Sequence, residues 1–307
     1  MDMLLRSPNR RHDMPLLFKY ATSSTAAAIL ASQSLRYSSP LLFNDPFDVP
    51  RHLDLGFTFV EFREEALKCF ADYLGGNGLP GSPNARRVLD QMRKRIEDRP
   101  VDAMLNDLGA VLTFFTQRAF EKTAQDLQAV WDDRVPGMRI CCFSETAASP
   151  AMWAHYGDHH RGAVLQFESS DERDSLSLMA QPVRYQNEKP SLPPAEKWAR
   201  ALLGEAPIDW DGYLHEYFFA KAAEWSYERE YRVSTHKKEN ESGLFSDYVF
   251  HPLDLRGLVV GSAVSAEDEA ALRAILHRKY PHAALYHARI NLNENVIAME
   301  LVAAGAA

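Results

Sequence analysis

The chain has 307 residues, long enough for one large domain or two moderate ones. A hydrophobic fraction of 46%, with 16 Phe and 12 Tyr, argues against a disordered chain. The formal net charge of −8 gives the chain as a whole no attraction for nucleic-acid phosphates or anionic lipid.

The cysteines and the apolar runs bear on the compartment. Cys69, Cys141 and Cys142 form no CxxC pair, so they support neither a disulfide framework nor a cysteine zinc site. No apolar run reaches the roughly 18 residues that span a bilayer. Residues 1–14 carry basic side chains with no apolar stretch behind them, unlike a secretory signal. We therefore expect a cytoplasmic protein with no membrane partner, and the oligomeric state is left open.

The first predicted elements are a strand, a helix and a strand. Residues 16–20 form a short apolar run typical of a strand. The hydroxyl side chains of residues 22–25 can cap a helix that carries residues 26–30. Residues 35–38 alternate as a second strand does, and the Asn, Asp and Pro of residues 44–48 indicate a loop.

The remainder changes from helical to strand-like spacing. Apolar residues keep helical spacing from Phe62 to Tyr73, a run that Gly75 ends, and again between residues 88 and 115. After Gly137 short strand-length runs alternate with loops until Ser265 caps a helix. We therefore predict an α+β fold with a mixed, mainly antiparallel sheet and a helical insertion after the first two strands. This fold forms a single domain over residues 1–307, with an N-terminal part (16–60), the helical insertion (61–135) and a sheet-rich part that includes a C-terminal helix (136–302).

Four stretches carry a family resemblance. They are residues 18–20; residues 35–39 leading into 43–48 (FNDPFD); residues 142–145 followed by 152–157 (MWAHYG) and 160–162; and Lys221 with residues 225–232 (WSYEREYR). By their order and spacing the chain is identified as a member of the bacterial family known as domain of unknown function 2971, over about residues 16 to 301. The family name implies no reaction, so the function has to be argued from the residues.

The last of these stretches concentrates charge. If residues 225–234 form one strand, its period of two puts Glu228, Glu230 and Arg232 on one face. The residues on the other face are Trp225, Tyr227, Tyr231 and Val233, and Arg229 alone breaks the alternation. The charged face is either a solvated surface with an ion pair or a site where two carboxylates converge.

This arrangement also resembles the glutamate-x-glutamate strand of the ADP-ribosyltransferase superfamily. The resemblance implies that Glu230 binds the nicotinamide-ribose 2′-hydroxyl of NAD and stabilises an oxocarbenium-like transition state. It implies that Glu228 orients or deprotonates the acceptor, and that Lys19, where the superfamily usually has Arg or His, meets the dinucleotide phosphates or the adenosine ribose. Ser144, at the end of a predicted strand, corresponds to a hydroxyl residue beside the nicotinamide pocket. We expect Lys19, Tyr20, Ser144 and Glu230 to line one pocket.

Two further groups have both a structural and a functional interpretation. Asn44 and Asp45, with Asp48, either form Asx turns or bind a ligand or metal. Trp153, His155 and Tyr156 are either packed rings with a capping histidine or an aromatic wall that stacks on a base. His155 and His159 have a spacing of four that can bind zinc with a third ligand, and none is evident.

Three functions follow from these residues. The leading hypothesis is an ADP-ribosyltransferase-like enzyme that uses NAD as substrate, with an unknown protein or nucleic-acid acceptor; the resemblance adds a role as a toxin or anti-phage effector. The alternative is a non-enzymatic module that senses a nucleotide or nucleic acid, in which Lys19, Lys221 and Arg232 hold phosphates. The third is a metal-dependent nuclease that uses the carboxylates of Asp45, Asp48, Glu228 and Glu230.

Overall fold

The computed structural model describes residues 6–53, 55–95, 99–188, 190, 192–294 and 296–305, except for the side chains of residues 111–116 and 119. Residues 1–5 of the predicted basic N-terminal stretch therefore lie outside the described residues. Strand β1 spans Leu16–Ala21, helix α1 spans Ser23–Ser32 and strand β2 spans Ser34–Ser38. This is the predicted order. Helix α1 begins where the Thr22 hydroxyl accepts from the Thr25 backbone N–H.

Three helices follow β2 along the chain. They are α2 (Phe59–Leu74), α3 (Pro83–Arg93) and α4 (Val101–Gly137). Helix α2 begins at a capping box in which Thr58 and Glu61 exchange hydrogen bonds, and it ends at Gly75, the predicted stop. Its buried face is the one predicted from helical spacing: Phe62, Ala66, Cys69, Phe70 and Tyr73.

The strands and helices after Gly137 build most of the sheet. In chain order they are β3 (Met138–Ser144), α5 (Pro150–His155), β4 (Ala163–Glu168), β5 (Gln181–Pro182), β6 (Arg184–Gln186), α6 (Ala195–Leu202), α7 (Trp210–Phe219), β7 (Ala220–Ala222), β8 (Glu230–His236), β9 (Phe245–Val249), β10 (Leu255–Val260), α8 (Ala266–Lys279), β11 (Ala284–Asn291) and β12 (Val296–Ala303). Ser265 caps α8 as predicted.

The strands form a ten-stranded sheet and a two-stranded one. The main path of the large sheet is β12-β11-β10-β4-β1-β3-β2-β9, and β8 pairs with β3 and with β5. Its pairs are antiparallel except for β10 with β11, which α8 connects. The two-stranded sheet is a parallel pair of β6 and β7. The fold is therefore α+β with a mixed, mainly antiparallel sheet, as predicted.

The two faces of the large sheet bury different clusters. Leu17 and Phe167 pack with residues of α1 and α8 in one cluster. Phe18 and Tyr20, whose side chains alternate with that of Leu17 along β1, pack with Trp153 in another. Alternation also separates the adjacent cysteines of β3: Cys141 is buried in the first cluster and Cys142 faces the second side.

The chain divides into two compact units. The first comprises Met1–Val49, Val135–Glu188 and Phe219–Ala307, and contains both sheets. The second comprises Pro50–Arg134 and Lys189–Phe218, and contains α2, α3 and α6 with most of α4 and α7. The second unit thus adds residues 189–218 to the stretch that was predicted as a helical insertion. In the described part of the chain, no helix combines the length and apolarity needed to cross a bilayer.

Candidate functional site

The charged stretch near residue 230 is not one continuous strand. Residues Ala223–Glu228 form a 3₁₀ helix, and β8 begins only at Glu230. Arg229, between them, has a φ of 46°, a left-handed backbone conformation that ends the 3₁₀ helix and redirects the chain. The prediction that Glu228 lies on the same strand as Glu230 is therefore wrong, although their carboxylates still converge.

The carboxylates of Glu228 and Glu230 converge on the ammonium group of Lys221, which lies on β7. Its Nζ lies 2.6 Å from Glu228 Oε2, 3.4 Å from Glu230 Oε2 and 3.4 Å from Asp48 Oδ2. The Trp225 ring centroid is 4.8 Å from the same ammonium. Three carboxylates from separate segments thus bind one buried cation.

Arg232 is the second cation of this cluster. Its Nε donates to Glu230 Oε1 at 2.8 Å, and its Nη2 donates to Glu230 Oε2 at 2.9 Å and to Asp48 Oδ2 at 2.5 Å. The pair with Glu230 is bidentate, the geometry in which a guanidinium binds a carboxylate most firmly. Arg232 is 1% exposed with its guanidinium enclosed by Glu230 and Asp48, so the structure does not show the predicted direct access to a ligand.

The loop before residue 50 delivers Asp48 to the cluster. Asp45 Oδ1 accepts from the Phe47 backbone N–H, and the Asp48 N–H donates to the Asp45 carbonyl. Asp45 is buried and forms this Asx turn. Asp45 thus has the predicted Asx-turn role. We refer to Asp48, Lys221, Glu228, Glu230 and Arg232 as the ion cluster.

The ion cluster moves the pKa values of its two glutamates in opposite directions. Burial opposes ionisation of Glu230, but the guanidinium of Arg232 and the ammonium of Lys221 lower its pKa to about 2. Burial together with the charge of Glu230 raises the pKa of Glu228 above its ordinary value, against the opposing effect of Lys221. Glu230 is thus ionised at neutral pH, and Glu228 takes up a proton more readily than an exposed glutamate.

Tyrosine side chains hold both glutamates in place. Tyr156 donates its hydroxyl hydrogen to Glu228 Oε1 at 2.7 Å, and Asn44 Nδ2 lies 3.4 Å from the same hydroxyl. The Tyr185 hydroxyl accepts from the Glu230 backbone N–H at 2.8 Å. Burial raises the pKa of Tyr156, so this phenol stays protonated.

The ion cluster forms the floor of a cleft of about 440 Å³. This volume lies in the range of small-molecule sites. The lining residues are Phe18, Lys19, Tyr20, Leu42, Phe43, Asn44, Asp48, Cys142, Phe143, Ser144, Met152, His155, Tyr156, Lys221, Glu228 and Glu230. Lys19, Tyr20, Ser144 and Glu230 are all among them, as expected from the sequence.

Three of these residues also stabilise the walls of the cleft. The Lys19 ammonium donates to the Cys142 carbonyl at 2.8 Å. The Tyr20 hydroxyl donates to the Thr146 carbonyl. Ser144 is buried, and its hydroxyl donates to the Glu228 carbonyl at 2.7 Å, which ties the end of β3 to the turn before β8.

The predicted aromatic wall is only partly present. Trp153 has no exposed surface; its indole N–H donates to the Ala147 carbonyl and its ring stacks on His160. Trp153 is therefore a core residue and cannot stack on a ligand. His155 and Tyr156 do line the cleft. Helix α5 ends at His155, so His155 and His159 do not share a helix face.

Tyr227 was predicted to point away from the charged side, and this is also wrong. Its ring packs with the cluster of Phe18, Tyr20 and Trp153, and its hydroxyl lies 2.8 Å from His155 Nδ1. The reason is the 3₁₀ helix, which has three residues per turn and removes the alternation of a strand. Tyr231, on β8, does face the opposite side of the sheet.

Among the described residues, no group of three or more His, Cys, Asp or Glu side chains is arranged to hold a metal ion. The carboxylates of the ion cluster instead share the two cations already in it. The polar groups available to an organic ligand are those on the walls of the cleft, chiefly Lys19, Asn44, His155 and Tyr156.

The fold and the site define an α+β protein with a cleft over a buried ion cluster. A family model described as Protein of unknown function (DUF2971) matches residues 152–233, from within α5 to β8. Over these residues the match supports the family assignment made from the sequence. It covers Lys221, Glu228, Glu230 and Arg232, whereas Asp48 lies outside it. No curated protein and no solved structure matches the chain significantly.

Sequence reasoning missed several members of the site. Asp48 was considered only for an Asx turn or for binding a ligand or metal, Cys142 only as a cysteine within a family stretch, and Tyr185 was given no role in the site. Lys221 was recognised as part of a motif but not as the ion that joins three carboxylates. Residues 225–232 carry two Glu and two Arg, so the balance of charge in this stretch gave no signal that Asp48 and Lys221 join them.

Proposed function

We propose that the cleft binds NAD and that the protein is an ADP-ribosyltransferase-like enzyme, which cleaves the glycosidic bond of NAD and transfers ADP-ribose to an acceptor. One observation carries the proposal: Arg232 and Lys221 hold the Glu230 carboxylate ionised at the floor of a cleft. When the bond to nicotinamide breaks, positive charge develops on the ribose ring, and a fixed carboxylate stabilises it.

The net charge of the ion cluster also favours the binding of a cationic group. Its three carboxylates and two cations leave a net charge of −1 when all five groups are ionised. The nicotinamide ring of NAD is cationic before cleavage, so this floor attracts it. A phosphate group would be repelled from the same position. The reacting end of NAD therefore lies towards Glu230 in this proposal.

The walls of the cleft offer partners for the rest of the dinucleotide. Lys19 uses one N–H to bind the Cys142 carbonyl, which leaves two for phosphate oxygens. Asn44 and Tyr156 can hydrogen-bond ribose hydroxyls, and Phe43 is half-buried beside them. These contacts would be present in the ground state and the transition state alike, and so they act through binding.

The two alternative functions receive less support from the same contacts. In the hypothesis of a nucleotide-sensing module, Lys19, Lys221 and Arg232 hold phosphates. Carboxylates, however, surround Lys221 and Arg232. A nuclease would need its carboxylates around a metal, and here they surround Lys221. We place the activity in the cytoplasm, consistent with three free cysteines. A role as a toxin or anti-phage effector belongs to the same proposal and rests on the superfamily resemblance.

The test is NAD turnover by the purified full chain, with nicotinamide release as the readout. Glu230→Gln keeps the shape of the side chain but removes its charge, so we expect turnover to fall by roughly 10²–10³. NAD affinity, measured separately by calorimetry, should fall much less than turnover, because the cationic nicotinamide is attracted already in the ground state, whereas the charge on the ribose develops only in the transition state.

The controls separate catalysis from folding and from binding. Both proteins are assayed well below their unfolding temperatures, and Lys19→Ala should weaken NAD binding with little effect on turnover at saturation. Equal turnover in wild type and Glu230→Gln would refute the catalytic role. NAD binding without turnover in the wild type would favour the sensing module.

A further inference from the structure

The proposed reaction, on which this inference rests, leaves one proton to be moved. The oxygen of an acceptor hydroxyl bonds to C1′ of the ribose, and the electron pair of the C1′–N bond leaves with nicotinamide as a neutral molecule. The acceptor oxygen must then lose its proton. Some group in the cleft has to accept that proton as the bond forms.

Neither glutamate is placed to do so. Glu228 is 2% exposed; its Oε1 accepts from the Tyr156 hydroxyl and its Oε2 binds Lys221. Glu230 is 5% exposed, and both of its oxygens bind Arg232. The expectation that Glu228 deprotonates the acceptor therefore conflicts with its contacts.

Most other polar residues that line the cleft already hold their protons or are enclosed. The ammonium of Lys19 donates to a carbonyl, and Lys221 is enclosed by three carboxylates. Ser144 is buried with its hydroxyl donated to Glu228. Burial raises the pKa values of the Tyr156 phenol and the Cys142 thiol, so neither is a base at neutral pH.

His155 differs from these residues in both position and chemistry. It is the last residue of α5, it is exposed, and it lines the cleft. Its Nδ1 lies 2.8 Å from the Tyr227 hydroxyl. The ring centroids of Tyr227 and Trp225 lie 5.7 Å and 6.4 Å from the centroid of the imidazole ring. A base whose second nitrogen is fixed by another side chain is the arrangement that activates nucleophiles in enzymes.

We propose that His155 is the general base that takes the proton from the acceptor, and that Tyr227 is the residue that positions it. With the proton on Nδ1, the ring donates to the Tyr227 hydroxyl oxygen and Nε2 is free to accept. As the acceptor oxygen bonds to C1′, its proton passes to Nε2, and the imidazolium later releases it to water. The products are the ADP-ribosylated acceptor, nicotinamide and one proton.

This assignment identifies the class of acceptor. A hydroxyl is a weak nucleophile until a base removes its proton, so a site built around His155 suits water or an alcohol. Water is the simplest member of the class. Hydrolysis of NAD therefore tests the base without knowledge of the physiological acceptor.

The experiment measures NAD hydrolysis and NAD binding by the full chain and its variants. His155→Ala should lower the rate of hydrolysis by roughly 10²–10⁴, the usual contribution of a general base, while NAD affinity is retained. Added imidazole should restore part of the lost rate, because a free base can enter the space left by the ring. His155→Asn keeps a hydrogen-bonding group near Tyr227, and should show the same loss.

Two variants complete the design. His159→Ala is the matched control, since His159 is exposed, lies four residues along the chain and does not line the cleft; its hydrolysis rate should equal that of the wild type. Tyr227→Phe removes only the hydroxyl that holds Nδ1, and should lower kcat with KM unchanged.

The outcomes distinguish this inference from the proposed function. If Glu230→Gln abolishes hydrolysis but His155→Ala does not, the base assignment is wrong and the proposed function stands. A loss in His155→Ala that imidazole does not restore also overturns the assignment, because a structural defect would not respond to a free base. If the wild type neither binds nor hydrolyses NAD, both fail together.

Discussion

The ion cluster makes a quantitative prediction about stability. Glu230→Gln removes the charge that pairs with buried Arg232 and Lys221. Lys221 then keeps Asp48 and Glu228 as charged partners, whereas Arg232 keeps only Asp48 and faces a neutral amide in place of the Glu230 carboxylate. We expect the variant to fold with a measurably lower free energy of unfolding at neutral pH.

The magnitude follows from the pKa of Glu230. Its ordinary value is 4.5, and the folded protein lowers it to about 2. Since one pKa unit corresponds to about 1.4 kcal/mol, ionised Glu230 contributes about 3 kcal/mol to the stability at pH 7. Removal of its charge also relieves its repulsion of Glu228, so we expect a net loss of about 2–3 kcal/mol.

The pH dependence has a definite sign. A carboxyl group with a lowered pKa in the folded state stabilises the protein above its unfolded pKa, and that contribution is lost as the pH falls through the folded pKa. The difference between wild type and Glu230→Gln should therefore be constant from pH 7 to about pH 5. It should fall to roughly half by pH 3 and approach zero near pH 2.

Urea unfolding at a series of pH values measures this difference. Glu300→Gln is the matched control, because Glu300 also pairs with an arginine, Arg289, across neighbouring strands but is exposed. Exposed pairs contribute little, so the control should unfold with the wild type. A loss below about 1 kcal/mol at pH 7, or one that is the same at pH 7 and pH 3, would contradict the assignment of Glu230 as a buried ion.

Two further substitutions test the cluster and the backbone around the cleft. Lys221→Met leaves three carboxylates with one cation, so we expect a loss of about 3–5 kcal/mol at pH 7. Because the remaining carboxyl pKa values then rise, urea unfolding should show partial recovery of stability between pH 7 and pH 5, a range in which the effect of Glu230→Gln stays constant. Gly261→Ala would place a Cβ 2.1 Å from the His160 carbonyl oxygen, a backbone atom that cannot move aside, so the melting temperature of this variant should fall sharply. Gly243→Ala is the control: its Cβ would have no neighbour closer than 4.0 Å, so this variant should melt at the temperature of the wild type.

The first part of the fold was predictable because its signals are local. The apolar run of β1, the hydroxyl cap at Thr22 and the alternation of β2 each specify one element within a few residues. The same is true of α2, whose apolar face and terminal glycine both appear in the sequence. No contact with a distant segment is needed to explain where these elements begin and end.

The stretch from Trp225 to Val233 shows where period counting fails. A period of two assigned residues on both sides of Arg229 to the faces of one strand. Arg229 was the residue that broke the pattern, and the backbone reverses its hand at that residue, with a φ of 46°. Arg229, the residue that did not fit the alternation, therefore immediately precedes the first residue of β8. The alternation of the residues before and after it made the whole stretch look like one strand.

The members of the ion cluster are joined by charge rather than by sequence. Asp48 comes from a loop after β2, Lys221 from β7 and Arg232 from β8, and no local rule brings these segments together. What requires their meeting is the cost of burying an unpaired charge. Three carboxylates can be enclosed only if cations accompany them. The same pairing separates the two roles proposed for the cleft, because a glutamate held by two cations is rigid and ionised, whereas a general base has to be exposed with an atom free to accept a proton. Our proposals therefore assign the two roles to different residues of the cleft lining, Glu230 and His155.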